Sequence, residues 1–126
     1  DELLETGGGI LNALPYFEGE DFFVINSDCY WQEVEKENPF ILLRNSWQPH
    51  KMEGLFLLKG KKNYLGYEGN GDFSITKEGK LSYNLTENDY VFVGIYILAP
   101  KIFSEQNLPK KFKITEIIFS KLRNNN

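Results

Sequence analysis

The most constraining stretch is Tyr90-Val91-Phe92-Val93-Gly94-Ile95-Tyr96-Ile97-Leu98, an almost unbroken run of β-branched and aromatic residues. It is far too short to cross a bilayer, and its composition predicts a strand. The run Phe22-Phe23-Val24-Ile25 is shorter and ends in Asn26-Ser27-Asp28. It predicts a strand buried on both faces, as in a parallel sheet, with polar residues at the carboxyl end, where open α/β sheets place ligands. Leu55 to Leu58 predicts another such strand.

Helical signals fall between these runs. Gly7-Gly8-Gly9 reads as a glycine turn opening a short helix that Pro15 ends. Asn38-Pro39 predicts a helix start, with Asn38 as cap, Pro39 at the first position, and Phe40, Leu43 and Trp47 on one face. Residues 60–71 read as loop or irregular strand. Phe73 to Thr76, then Lys77-Glu78-Gly79-Lys80, then Leu81 to Leu85 reads as a β-hairpin. Pro100 starts a short helical turn, and Thr115 to Leu122 predicts a helix with Ile117, Ile118 and Leu122 inward. Residues 123–126 read as a frayed tail. Strands alternating with helices, with one hairpin inserted, give an α/β pattern with a mixed sheet in a single domain over residues 1–126.

Bulk properties exclude some functions. A formal net charge of −4 argues against a nucleic-acid groove, which needs a basic face. No run is long enough for a membrane span. The only cysteine, Cys29, forms no internal disulfide, so a reducing, cytoplasmic setting is expected. Cys29 and His50 lack partners at ligand spacing and read as structural. Lys59, Lys61 and Lys62 form a small basic patch, read as a solvated loop, with phosphate contact as the lesser reading.

Two segments carry a family resemblance. One is Leu4-Glu5-Thr6-Gly7-Gly8-Gly9-Ile10 with Ala13-Leu14-Pro15 and Phe23-Val24-Ile25-Asn26-Ser27-Asp28. The other is Gly66-Tyr67-Glu68-Gly69-Asn70-Gly71-Asp72-Phe73 with Tyr90 through Pro100. In this order they resemble the sugar-1-phosphate nucleotidyltransferases, nearest the N-acetylmuramate-1-phosphate uridylyltransferase and mannose-1-phosphate guanylyltransferase-like branch. The resemblance implies an incomplete three-layer, Rossmann-like (GT-A-like) fold with a mixed sheet and an inserted β-hairpin. It also implies formation of a nucleotide-sugar and pyrophosphate from a nucleoside triphosphate, of UTP or GTP type, and a sugar 1-phosphate, with Mg²⁺ as cofactor.

By the same resemblance, Asp28 holds the Mg²⁺; read alone, it caps the next segment. Ser27 stands where the family usually has glycine. Thr6, Gly7, Gly8, Gly9 and Asn26 lie against the nucleotide; read alone, the glycines are an ordinary helix-opening turn. Gly71, Asp72 and Gly94 line the sugar-phosphate pocket; read alone, 69–72 is a turn into the hairpin and Gly94 a packing glycine.

Family members also carry an arginine-containing glycine-rich loop followed by a Lys-Pro pair, and an aspartate in a Trp-x-Asp-x-Gly motif. Neither has a counterpart among the 126 residues. Charge stabilisation dominates phosphoryl-type transfer, so the expectation is a partial domain with no catalytic residue assigned, inactive or nearly so alone. Its open sheet edge favours a homo-oligomer or a companion chain carrying the missing half. The competing readings are a non-catalytic nucleotide-sugar-binding or partner-binding regulatory relative, and an unrelated α/β interaction domain.

Overall fold

The structure is a computed structural model that describes residues 5–26, 38–63, 66–104 and 108–123. Strand β5 (Tyr90–Leu98) matches the boundaries read from the sequence. It is the middle strand of a three-stranded sheet, flanked by β1 (Phe22–Ile25) and β2 (Gly54–Gly60). Its side chains divide between two cores, as the two-residue period requires. Tyr96 and Leu98 enter one core with Phe22, Phe73, Ile102 and the helix α3 (Ile114–Arg123), while Ile95 and Ile97 enter the other with Leu43 of α2 (Pro39–Ser46). Helices thus cover both faces of the central strand, which is why it reads as a continuous apolar run.

The parallel arrangement expected for the first strand is not what the chain adopts. β1 runs antiparallel to β5, from Phe22 opposite Leu98 to Ile25 opposite Ile95, and β2 is antiparallel to β5 as well. Among the described residues no strands pair in parallel, so the expected mixed sheet is corrected to small antiparallel ones. Nor is β1 buried on both faces: Phe22 is buried, but Phe23 and Ile25 are exposed. A four-residue apolar run specifies neither strand direction nor how many neighbours it has.

Between Phe56 opposite Tyr96 and Leu58 opposite Phe92, β5 carries extra residues. Gly94 sits in this bulge at φ +90°, a backbone conformation that costs glycine nothing. The hairpin forms as read, with β3 (Ser74–Ile75) antiparallel to β4 (Leu81–Ser82). Thr76 N donates to Lys80 O at 2.8 Å and Lys80 N to Thr76 Oγ1 at 3.1 Å. The helix α2 begins as its sequence dictates, the Asn38 side chain accepting from Phe40 N at 2.9 Å.

The triple glycine is a second correction. It does not precede a helix but lies inside one, α1 (Glu5–Ala13), which ends where Pro15 enters a 3-10 turn over Leu14–Phe17. The first N–H groups of a helix have no partner within it. Here Gly7 N and Gly8 N donate to Phe112 O at 2.9 and 3.1 Å. A Cβ on Gly7 would lie 2.2 Å from the buried Phe112 ring, so glycine is what admits the contact. In return, Thr6 Oγ1 accepts from Ile114 N at 2.9 Å and satisfies a donor at the start of α3. The two helices cap each other across more than a hundred residues of chain, and α3 then buries Ile114, Ile117 and Ile118.

Tyr96 is fully buried, and its hydroxyl has no hydrogen-bond partner among the described residues. Phe56 and Phe92 lie 5.2 and 5.3 Å away, ring to ring. Burial pushes its pKa from 10.0 up to about 12. The unfolded chain therefore loses this proton at lower pH than the folded one, so folding stability falls as pH rises through that window. Tyr96→Phe should raise stability at neutral pH by about 1 kcal/mol, because an unpaired buried hydroxyl is removed. It should also abolish an alkaline loss of about 1.4 kcal/mol per pH unit. Urea titrations of both proteins at neutral and alkaline pH check this; equal slopes against pH would contradict it.

Candidate functional site

The residues singled out in the sequence fall into two places. The first is a crevice of about 350 Å³ between α1 and β1, lined by Thr6, Gly9, Ile10, Ala13, Phe17 and the whole of β1. It is mostly apolar. Asn26 leaves the carboxyl end of β1, and its N–H donates to Gly94 O at 2.8 Å. The tip of β1 therefore lies directly beside the bulge in β5. Asp28 lies outside the described residues. Within them no three His, Cys, Asp or Glu side chains gather in a way that could hold a metal ion.

The five residues read as nucleotide-binding are not equivalent. The amides of Gly7 and Gly8 are already committed to Phe112 O, and the Thr6 hydroxyl to Ile114 N. Those groups hold the fold together. Gly9 is exposed, has nothing within 4 Å of its would-be Cβ, and faces the crevice. Gly9 is thus the member of that set whose surroundings leave room for a ligand, while the Asn26 N–H is committed to Gly94 O.

The second place is an open groove of about 440 Å³ behind the hairpin. Gly71 and Asp72 line it; Gly94 does not. The resemblance grouped these three, but the backbone puts Gly94 against Asn26 instead. Gly71 is at φ +75°, and its N–H donates to the Tyr67 hydroxyl at 3.0 Å. Asp72 Oδ2 accepts from Phe92 N at 2.9 Å, so this carboxylate fastens the loop to β5.

The organiser of the groove is Asn88, which sequence reading passed over. It is buried. Its Oδ1 accepts from Asn84 N at 2.7 Å and Ser74 Oγ at 3.2 Å, its Nδ2 donates to Asn84 O at 2.9 Å, and its N–H donates to Asn70 O at 2.7 Å. One amide thereby ties the loop after the hairpin to the turn before it. Nothing in the mostly polar stretch Asn84 to Asp89 marks Asn88 as the residue that turns inward. At the rim, Lys61 pairs with Glu87 and holds that exposed carboxyl below its ordinary range. One lysine of the basic patch thus has a carboxylate partner. His50 is exposed. No helix among the described residues is long and apolar enough to cross a membrane.

No protein-family model matches the chain. It is 28% identical over 107 residues to the N-acetylmuramate alpha-1-phosphate uridylyltransferase of Caulobacter vibrioides, a match covering 82% of the chain and 43% of that protein. It is 26% identical over 123 residues to the protein of the same name from Neisseria meningitidis serogroup B, covering 97% of the chain and 51% of that protein. The chain therefore spans about half the length of the curated relatives it matches. This distant homology supports a sugar-1-phosphate nucleotidyltransferase-like relationship.

Proposed function

We propose that this chain supplies the nucleotide crevice and the sugar pocket of a nucleotidyltransferase that joins a nucleoside triphosphate to a sugar 1-phosphate, releasing pyrophosphate. Two observations support the reading: the glycine-bearing helix α1 and β1 line one crevice, and Asn26, at the end of β1, is hydrogen-bonded to the bulge at Gly94. The names of the two relatives favour uridine and N-acetylmuramate over guanine and mannose. A Rossmann-like assignment for the whole single domain belongs to the same proposal.

Asp28, two residues beyond Asn26, is the residue we assign to Mg²⁺. A hard cation that takes one or two carboxylates and fills its shell with phosphate oxygens and water suits an aspartate that follows closely in sequence after β1. When bound, the ion would neutralise charge on the nucleotide phosphates. The chain's own contribution is positional: Gly9 adds no side chain to its part of the crevice wall, and the Asn26 to Gly94 hydrogen bond fixes the strand tip against β5. Two anions held in line react faster through orientation alone.

The 126 residues contain no arginine-bearing glycine loop, so we expect turnover to need a further segment that carries one. The test is nucleotide-sugar formation from UTP and N-acetylmuramate 1-phosphate. We expect no product above background from this chain alone. Robust turnover would contradict that expectation, and failure to bind UTP with Mg²⁺ would contradict the assignment itself.

One observation favours a second reading, a non-catalytic binder of nucleotide-sugars or of a partner protein. The Thr6, Gly7 and Gly8 groups that could grip a nucleotide are committed within the fold. A nucleotide-sugar that binds tightly without being formed, even when a complementing segment is supplied, would select this reading.

A further inference from the structure

We infer that Asn70-Gly71 is a latent site of spontaneous deamidation, held in check in the folded chain by the Tyr67 hydroxyl, and that its release puts a new carboxylate into the groove behind the hairpin. The chemistry is the chain's own and stands whether or not a nucleotide binds at the tip of β1.

Asn70-Gly71 is the only Asn-Gly pair in the sequence. Asparagine is a thermolabile residue, most of all before glycine, where no side chain hinders approach through the following backbone nitrogen. In the reaction Gly71 N loses its proton to hydroxide and attacks Asn70 Cγ. The side-chain Cγ–N bond breaks, ammonia leaves, and a succinimide ring closes. Water then opens the ring at either of its two carbonyls and gives aspartate or isoaspartate. Hydroxide and water are the only co-reactants, and nothing is oxidised or reduced.

The Asn70 half of the pair is ready to react. Asn70 is exposed, and its side chain makes no hydrogen bond among the described residues. The Gly71 half is restrained. Its N–H donates to the part-buried Tyr67 hydroxyl at 3.0 Å, and that bond must break before the nitrogen can turn onto Cγ. Glycine at 69 is what lets Tyr67 reach: a Cβ there would lie 2.5 Å from the Tyr67 Oη and 2.7 Å from Cζ. A second restraint acts on the same peptide unit, since Asn70 O accepts from Asn88 N at 2.7 Å. Turning the 70–71 peptide gives up both bonds.

The product would alter the groove. Asn70, Gly71 and Asp72 all line it. Either product sets a second carboxylate two residues from Asp72, and like charges so close disfavour each other. Isoaspartate also lengthens the main chain by one carbon and turns the Asn70 carbonyl into a carboxylate. The bond from Asn88 N, which ties the loop after the hairpin to the 70–73 turn, loses its acceptor in its present position.

The test incubates the full chain at mildly alkaline pH, folded and in urea, beside Tyr67→Phe and Gly69→Ala. The first variant removes the hydroxyl; the second displaces the ring that carries it. Peptide mass mapping follows deamidation at residue 70 and scores isoaspartate separately. We expect the folded chain to react more than about tenfold slower than the chain in urea, since two hydrogen bonds must be given up. Each variant should speed the folded reaction several-fold, up to about tenfold, the weight of one ordinary hydrogen bond. Amide hydrogen exchange separates local release from unfolding: protection should fall at Gly71 N–H and persist at Asn88 N–H. A folded chain that deamidates as fast as the chain in urea overturns the inference. So does either variant that keeps Asn88 protected yet deamidates at the unsubstituted rate. Loss of Asn88 protection in both variants overturns it as well, because Tyr67 would then hold the whole turn rather than the Gly71 amide.

Discussion

Alanine at Gly71 should cost about 3 kcal/mol or more, the largest loss expected from adding a single carbon to this chain. Two penalties combine. Gly71 is at φ +75°, a conformation that costs an L-residue about 1–2 kcal/mol. A Cβ there would also lie 2.2 Å from Asn88 O and 2.7 Å from Asn88 C. Those are backbone atoms, and Asn88 cannot retreat: its side chain is bonded to Ser74 and Asn84 and its N–H to Asn70 O. Relief requires breaking the ties that join the hairpin loop to the 70–73 turn. Gly66 is the internal control, because it is at φ +78° and a Cβ added there would meet nothing within 4 Å. Gly66→Ala should therefore show only the conformational part, about 1 kcal/mol. Chemical denaturation of the two variants gives the steric part by difference. Equal losses would mean that the 70–73 turn yields freely, and would remove the basis for a preformed groove.

The second large effect is at Lys121. Its ammonium is buried in the last turns of α3 and donates to both oxygens of Glu53, at 2.9 and 3.1 Å. Glu53 immediately precedes β2, and its carbonyl accepts from Ala99 N at 2.9 Å. This one ion pair thus clamps α3 to the end of the sheet opposite the strand tip. Removing one partner of a buried pair typically costs about 3–5 kcal/mol, because the other charge is left desolvated. The Glu53 side chain keeps 31% exposure, so water shares the burden and about 2–3 kcal/mol is the better expectation for Glu53→Ala. Lys121→Met keeps the stem packed and leaves the carboxylate, which is partly solvated, so it should cost less, about 1 kcal/mol. Urea midpoints would order the variants; Lys121→Met at least as damaging as Glu53→Ala would contradict this account of the pair.

Local chemistry made much of this fold legible. Tyr90–Leu98 announces a doubly buried strand because both of its faces are apolar. Asn38-Pro39 announces a helix because the cap oxygen and the fixed φ act within a single turn. Ile117 and Ile118 mark the buried face of α3 by spacing, whereas Leu122, read with them, is only partly buried and the buried Ile114 lies before the start read for the helix. Direction and partnership were not legible. Phe22–Ile25 has the same composition whether its neighbour runs parallel or antiparallel. Gly7 and Gly8 look alike as an anion-binding turn and as a helix start pressed on Phe112, and only the distant carbonyl decides between them.

The candidate site shows the same division. Gly71 and Asp72, given to a sugar-phosphate pocket by resemblance, line a groove, and their turn was legible because turn chemistry is local. Gly94 was grouped with them by resemblance, whereas the bulge sets it against Asn26. Asn88 was invisible because its role consists of bonds to residues at 70, 74 and 84, and no spacing rule links those positions. Thr115 and Phe119 come from α3, at the far end of the sequence, and reach the groove only through tertiary packing.

The central claim is that a nucleotide binds at the tip of β1, between α1 and the bulge of β5. The direct measurement is an amide-resolved NMR titration of the chain with UTP and Mg²⁺, repeated with Asp28→Asn. The account predicts shifts at Gly9, Asn26 and Gly94, dependent on Mg²⁺ and lost in the variant. Shifts elsewhere on the chain, or an undiminished response in Asp28→Asn, would contradict it.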